Sequence, residues 1–130
     1  MYKVTSHALV PDTALENLLR AENAGSVIIH CAVVREVSGQ AVTSSVSYSA
    51  LPGAEEELEQ IGDELKSRWH IENVALHRRT GRLAPGEIIS VVGISAARSK
   101  DAFGACAEAV ARLKEMKYIE KEEVFHGEGR

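Results

Sequence analysis

The stretch ALHRRTGRLAPGEIISVVGISAARSKDAF, Ala75–Phe103, decides the fold. It reads as a strand, a glycine turn, a second strand and a helix start. IENVALHRR supplies the first strand, and TGRLAPGE holds two glycines and a proline, the residues that punctuate a chain reversal. IISVVGISAA is a nearly continuous apolar run. Such a run suits a central strand buried on both faces. Ser99 or Asp101 then opens the last helix, with Phe103, Cys106 or Ala107, Val110 and Leu113 as its inward stripe. Five cations, Arg78, Arg79, Arg82, Arg98 and Lys100, surround this buried strand, and their presence asks for a reason.

Working outward, YKVTSHALV alternates loosely as a first strand that Pro11 ends. Asp12 is placed to cap the following helix, since a carboxylate there accepts orphan backbone N–H groups. In TALENLLRAENAG, Leu15, Leu18, Leu19 and Glu22 fall on helical spacing, and Gly25 fits a left-handed stop. SVIIHCAVVRE is a strand rich in β-branched residues. VSGQ reads as a hairpin connection and VTSSVSYSA as its antiparallel return. Pro52-Gly53 breaks the pattern. AEEELEQIGDELKSRW is an amphipathic helix with Leu58, Ile61, Leu65 and Trp69 in one stripe. Its acids sit in the first turn and its bases in the last, as the helix dipole favours. The order is βαββαββα, an α+β class, in one domain over residues 1–125 with HGEGR, 126–130, as a disordered tail.

Composition narrows the function. The chain has 130 residues and a net charge of -4, which argues against broad electrostatic binding to nucleic acid or an anionic membrane. Any anion site must therefore be a local gathering of cations. Aromatics are only 5 % of residues, so the core must be built from Val, Ile, Leu and Ala. Cys31 and Cys106 lie far apart in no CxxC pattern and read as small core residues. The five histidines show no metal-ligand spacing, so no metal is expected. No stretch approaches the roughly 20 apolar residues of a membrane span. The N-terminus carries no apolar signal region, and the cytoplasm is the simplest compartment.

Candidate chemistry rests on cations. Lys114, Lys117 and Lys121 are spaced i, i+3, i+7 and share one face if the last helix continues that far. A solvated cationic helix end explains the spacing. So does an amine beside an anionic or electrophilic substrate, because a lysine desolvated near other cations can act as base or nucleophile. Arg98 sits between the buried strand and the N-terminus of the last helix. That position favours an anion twice over, through the guanidinium and the free N–H groups; pairing with a nearby glutamate is the competing role. Arg35 ends its strand. His30 and His77, near or inside apolar strands, read as structural.

Four stretches in register resemble the MoaE family, the large catalytic subunits of molybdopterin synthase. They are GSVIIHCAVVR (Gly25–Arg35), HRRTGRLAPGE (His77–Glu87), SAARSKDAFGA (Ser95–Ala105) and LKEMKYIEKEE (Leu113–Glu123). The resemblance implies an α/β-hammerhead with an added antiparallel β subdomain. It implies a homodimer that becomes a heterotetramer when a ubiquitin-like MoaD-type small subunit docks on each copy. The small subunit inserts a Gly-Gly C-terminus as a thiocarboxylate. Its sulfur passes to cyclic pyranopterin monophosphate, and two transfers form the dithiolene of molybdopterin. By position, Lys114 and Lys121 match the active-site lysines, and Arg35 and Arg98 match arginines of the anion pocket. No cofactor is implied. Ala97, His30 and Ala32 stand where the family carries a histidine, an aromatic and a glycine, and Glu120 and Glu122 flank Lys121. Those departures keep two other readings open: a non-catalytic MoaE-like paralogue, and a dimeric module that binds an anionic metabolite.

Overall fold

A computed structural model describes residues 1–38 and 41–125. The apolar run forms β7 (Ile88–Ala96) and is flanked by β5 (Asn73–Arg79) and β2 (Ser26–Val33), both antiparallel to it. β1 (Tyr2–Thr5) pairs in parallel with β5 and completes the sheet order β1-β5-β7-β2. Residues 90–96 of β7 are buried without interruption, as expected for a central strand covered on both faces.

Strand alternation assigns the two faces. Ala75 and Val91 pack with Leu9 and Ala14 against α1 (Pro11–Leu19). Val74, Leu76, Val92 and Ile94 face α2 (Ala54–Arg68) and α3 (Ser99–Lys114), meeting Leu58, Ile61, Leu65, Ala105 and Ala109 in the largest core cluster. The stripe expected for α2 is inside, with Trp69 just beyond its end.

A second sheet is built around β4 (Ala41–Ala50). It pairs with β3 (Val37–Ser38) at its start and further along with β6 (Gly81–Leu83) and β8 (Ile119–Phe125). The helix-covered sheet plus an antiparallel subdomain is the α+β, hammerhead-like arrangement anticipated. Among the described residues no helix is long and apolar enough to cross a membrane. The tail expected at 126–130 and Gly39-Gln40 of the VSGQ connection lie outside the described residues.

Several local expectations are corrected. The first strand stops at Thr5, before Pro11, and Pro11 opens α1 rather than closing a strand. Proline at the first helical position needs no N–H partner, and Asp12 lies inside the first turn without capping it. In α1, Leu18 is buried but Leu15 and Leu19 are exposed, because Ala14 and Leu18 make the contact. Gly25 stops no helix: α1 ends at Leu19, and Gly25 lies where a Cβ would stand 2.3 Å from the Ala97 carbonyl oxygen. β4 does not return along β2: β2 is the edge strand beside β7, and β4 belongs to the second sheet. Phe103 is 65 % exposed, since the inward stripe of α3 runs through Ala102, Ala105, Cys106, Ala109 and Leu113. The helix ends at Lys114, and the chain continues as β8.

His77 is 4 % exposed on the α1 face of β5, opposite Lys3, with its Nε2 buried and unpartnered. Burial first, then the Lys3 and N-terminal charges, push its pKa below the ordinary histidine value. The neutral ring is therefore favoured in the folded state. An unfolded chain takes up a proton near pH 6.5 that the folded chain refuses, so this contribution is complete above that pH and lost as pH falls below it. The melting temperature is expected to drop between pH 7.5 and 5.5. His77→Gln should flatten that drop in thermal scans across the same range, and an unchanged slope would contradict the assignment.

Candidate active site

A cleft of about 760 Å³ opens where the two sheets diverge. Its walls come from the α3 face of β2 and β7, the last turns of α3, and the inner face of the second sheet. Lys114 lines it as the last residue of α3, where a cation also meets the negative end of the helix dipole. Lys121 lines it from β8. The two lysines thus meet although they sit on different elements; Lys117 is not among the lining residues. Both cleft lysines are exposed in this single chain, so neither ammonium is desolvated before a ligand or partner covers it.

Strand register explains Lys121. It stands opposite Tyr48 of β4, so both side chains share one face of the second sheet. Alternation then sends Glu120 and Glu122 to the other face, away from the cleft. The carboxylate that does line the cleft is Glu123, two residues on. It accepts a hydrogen bond from the Thr43 hydroxyl and lies 3.5 Å from the Lys121 ammonium. The Thr43 bond first, then the Lys121 and Arg35 charges, hold its pKa below the usual glutamate value, so it is an anion at neutral pH.

Arg35 reaches the cleft from the end of β2. A register shift at Ala32/Val33 redirects the strand there. Val34 is then fixed by two backbone bonds, its N–H donating to the Glu87 carbonyl at 3.0 Å and its carbonyl accepting from Gly86 N–H at 2.9 Å. Gly86 has φ +92°, a turn conformation that favours glycine. The GRLAPGE segment therefore both forms β6 and anchors the strand that carries Arg35.

Arg98 lies outside these walls. It is exposed at the N-terminal cap of α3, whose 16 residues separate it from Lys114 by about 24 Å at the usual helical rise. Ala97 beside it is equally remote, and His77 points to the opposite face of the sheet. Two side chains that the sequence did not assign to the site do enter. His30 lines the cleft with a buried, unpartnered Nδ1. Arg78 lines it from β5 and stacks on Tyr48, its guanidinium carbon 4.4 Å from the ring centroid. The alternation of β5 placed Arg78 inward, and that was the available signal. Its neighbour Arg79 pairs with Glu87 at 3.0 Å instead. Among the described residues no His/Cys/Asp/Glu group could hold a metal ion.

The joint between the lysines is held by Glu57 of α2. Its carboxylate accepts the backbone N–H groups of Lys117 at 2.8 Å and Tyr118 at 3.0 Å, within the connector from α3 to β8. Glu57→Ala is expected to cost about 1 kcal/mol, the scale of such net hydrogen bonding at a half-exposed site. It should appear as a lower denaturation midpoint with an unchanged slope on denaturant.

The MoaE protein family model matches residues 4–116. The molybdopterin synthase catalytic subunit of Staphylococcus carnosus is 34 % identical over 102 residues, covering 78 % of this chain and 68 % of its own. The structure of molybdopterin synthase from Staphylococcus aureus superposes with a TM-score of 0.89 at 28 % identity, covering 97 % and 92 % of the two chains. A complex of subunits 1 and 2 of molybdopterin-converting factor from Helicobacter pylori shares the fold, with a TM-score of 0.76 at 15 % identity over 97 % and 86 %. With the matched segment spanning most of its length and its fold reproduced in solved structures, the chain belongs to the MoaE family.

Proposed function

We propose that the chain is the catalytic large subunit of a molybdopterin synthase. In this reading it moves sulfur from a thiocarboxylated ubiquitin-like small subunit to cyclic pyranopterin monophosphate. The observation that carries it is the convergence of Arg35, Lys114 and Lys121 on one cleft in a chain of net charge -4. Both reactants are anionic, one through a thiocarboxylate and the other through a phosphate. A local cationic pocket attracts them without making the whole surface basic.

Lys114 is assigned the role nearest the chemistry. Its ammonium would stabilise the oxyanion that forms when water adds to the carbonyl carbon bearing the transferred sulfur; collapse of that oxyanion breaks the C–S bond, leaves the sulfur on the pterin and frees the small subunit's C-terminus as a carboxylate. Lys121, restrained beside Glu123, would hold the anionic substrate and pass protons. Arg35 would bind the substrate's anionic edge. Arg98 cannot meet its own chain's cleft, so its part in the pocket requires a second copy of the chain, consistent with a homodimer and a heterotetramer once two small subunits dock. Residues 1–125 would form that functional unit, working in the cytoplasm without a resident cofactor. The competing reading, a MoaE-like paralogue that binds without transferring sulfur, is favoured by Ala97 standing in place of the family histidine.

Expression in a bacterium whose own large subunit has been deleted separates the two. Restored molybdoenzyme activity is expected. A well-expressed protein that binds the small subunit yet restores nothing would support the paralogue.

A further inference from the structure

Among the charged groups described, Arg78 is the one whose burial has no counter-charge. It is 7 % exposed, yet no described carboxylate lies within ion-pair distance of it. The other cations around it either have a counter-charge or face water: Arg79, next along β5, pairs with Glu87, Lys121 lies beside Glu123, and Arg35 and Lys114 are exposed. Its Nε is buried without an acceptor. A guanidinium does not lose its charge in a protein, and burying an ion without a partner is strongly unfavourable. Tyr48, through its ring face and its hydroxyl, offsets part of that cost but brings no negative charge. Direct water contact is also slight, so something else must balance the charge when the site is in use.

Position supplies the answer. Arg78 stands opposite Ser90 in the register of β5 and β7, and Ser90 stands opposite Ala32 of β2. All three line the cleft from the same face of the sheet. Ser90 is itself buried and brings a hydroxyl donor beside the guanidinium. Ala32 adds only a methyl group, which leaves room over that row. The walls as a whole carry four cations, Arg35, Arg78, Lys114 and Lys121, against one carboxylate, Glu123. A phosphate-type oxyanion, with several acceptor oxygens, fits this set better than a single carboxylate, which would leave most of the donors unused.

We infer that Arg78, with Ser90, is the anion-anchoring pair at the floor of the cleft and takes the phosphate group of the ligand. Only the ligand's identity rests on the molybdopterin synthase reading; the anchor itself needs a phosphate-type group alone. A purely structural Arg78 would instead bridge the two sheets through Tyr48 and be indifferent to phosphate.

The test uses inorganic phosphate as probe, titrated into the purified chain against sodium chloride at matched ionic strength. Calorimetry and thermal shift report binding. The wild type is expected to bind saturably, and Arg78→Met to lose at least about tenfold in affinity, the scale of a charge-assisted hydrogen bond. Ser90→Ala, a change that keeps the fold, should weaken binding about threefold. No saturable binding by the wild type, or unchanged affinity in a folded Arg78→Met, overturns the inference. Should Arg78→Met fail to fold, unchanged affinity in Ser90→Ala overturns the pair. The phosphate titration contains no sulfur donor and is read apart from the transfer assay, so Arg78-dependent phosphate binding together with no transfer in that separate assay defeats the synthase reading alone. Sulfur transfer with phosphate binding indifferent to Arg78 defeats this inference alone.

Discussion

Lys114→Ala should lower the rate of sulfur transfer by at least about a hundredfold while leaving the fold intact. The magnitude follows from what a single charged donor contributes where negative charge develops in a transition state, roughly 10²–10³ in rate. The fold should survive because Lys114 is exposed at the end of α3 and makes no described ion pair. Lys114→Arg is the informative companion. It keeps the charge but spreads it over a planar group in a different place, so partial activity would indicate electrostatic stabilisation. Activity as low as in Lys114→Ala would indicate that the compact ammonium, or its proton, is required. Single-turnover measurement at saturating small subunit reads the chemical step separately from docking.

The second large effect is on stability. Gly25→Ala should cost about 2–3 kcal/mol, seen as a fall in melting temperature of roughly 6–12 °C. An added Cβ would sit 2.3 Å from the Ala97 carbonyl oxygen, which belongs to backbone and has no rotamer to change. Relief requires the start of β2 to move off the end of β7, where the Gly25 N–H now donates to the Ala96 carbonyl at 2.9 Å. By contrast Gly104, in α3, faces the ring of Trp69, a side chain with some freedom to shift. A Gly25→Ala protein as stable as the wild type would show that this close approach is not obligatory.

What the sequence disclosed follows physical lines. β7 and α2 were readable because each is decided by its own residues: an unbroken apolar run in one, a 3.6-residue stripe with matched terminal charges in the other. Pairing across long separations was not readable. The partner of β2 is β7, which lies beyond α2, β5 and β6 in the chain, and nothing local to VTSSVSYSA says which sheet it joins. β8 was hidden for a functional reason. Its inward face carries Ile119, Lys121, Glu123 and Phe125, so the charged lining of the cleft erases the apolar alternation that would mark a strand. That also misled the spacing of Lys114, Lys117 and Lys121, which mimics a helix that has already ended.

The cleft was half legible for similar reasons. Arg35, Lys114 and Lys121 came from motif positions and converge in one chain. Arg98 came from the same source and lies at the far end of α3, because motif order carries no information about distance in the fold. Arg78 was visible as one cation among five around the buried strand. Only the fold separates it from the others, by setting it over Tyr48 while Arg79 pairs with Glu87.

The most direct test of the account is a defined reconstitution. The purified chain, a thiocarboxylated ubiquitin-like small subunit and cyclic pyranopterin monophosphate are mixed, and dithiolene formation is counted against thiocarboxylate consumed. The account predicts two thiocarboxylates consumed per dithiolene formed, with transfer lost in Lys114→Ala. Tight binding of the small subunit with no sulfur on the pterin would contradict it and leave a fold retained for binding.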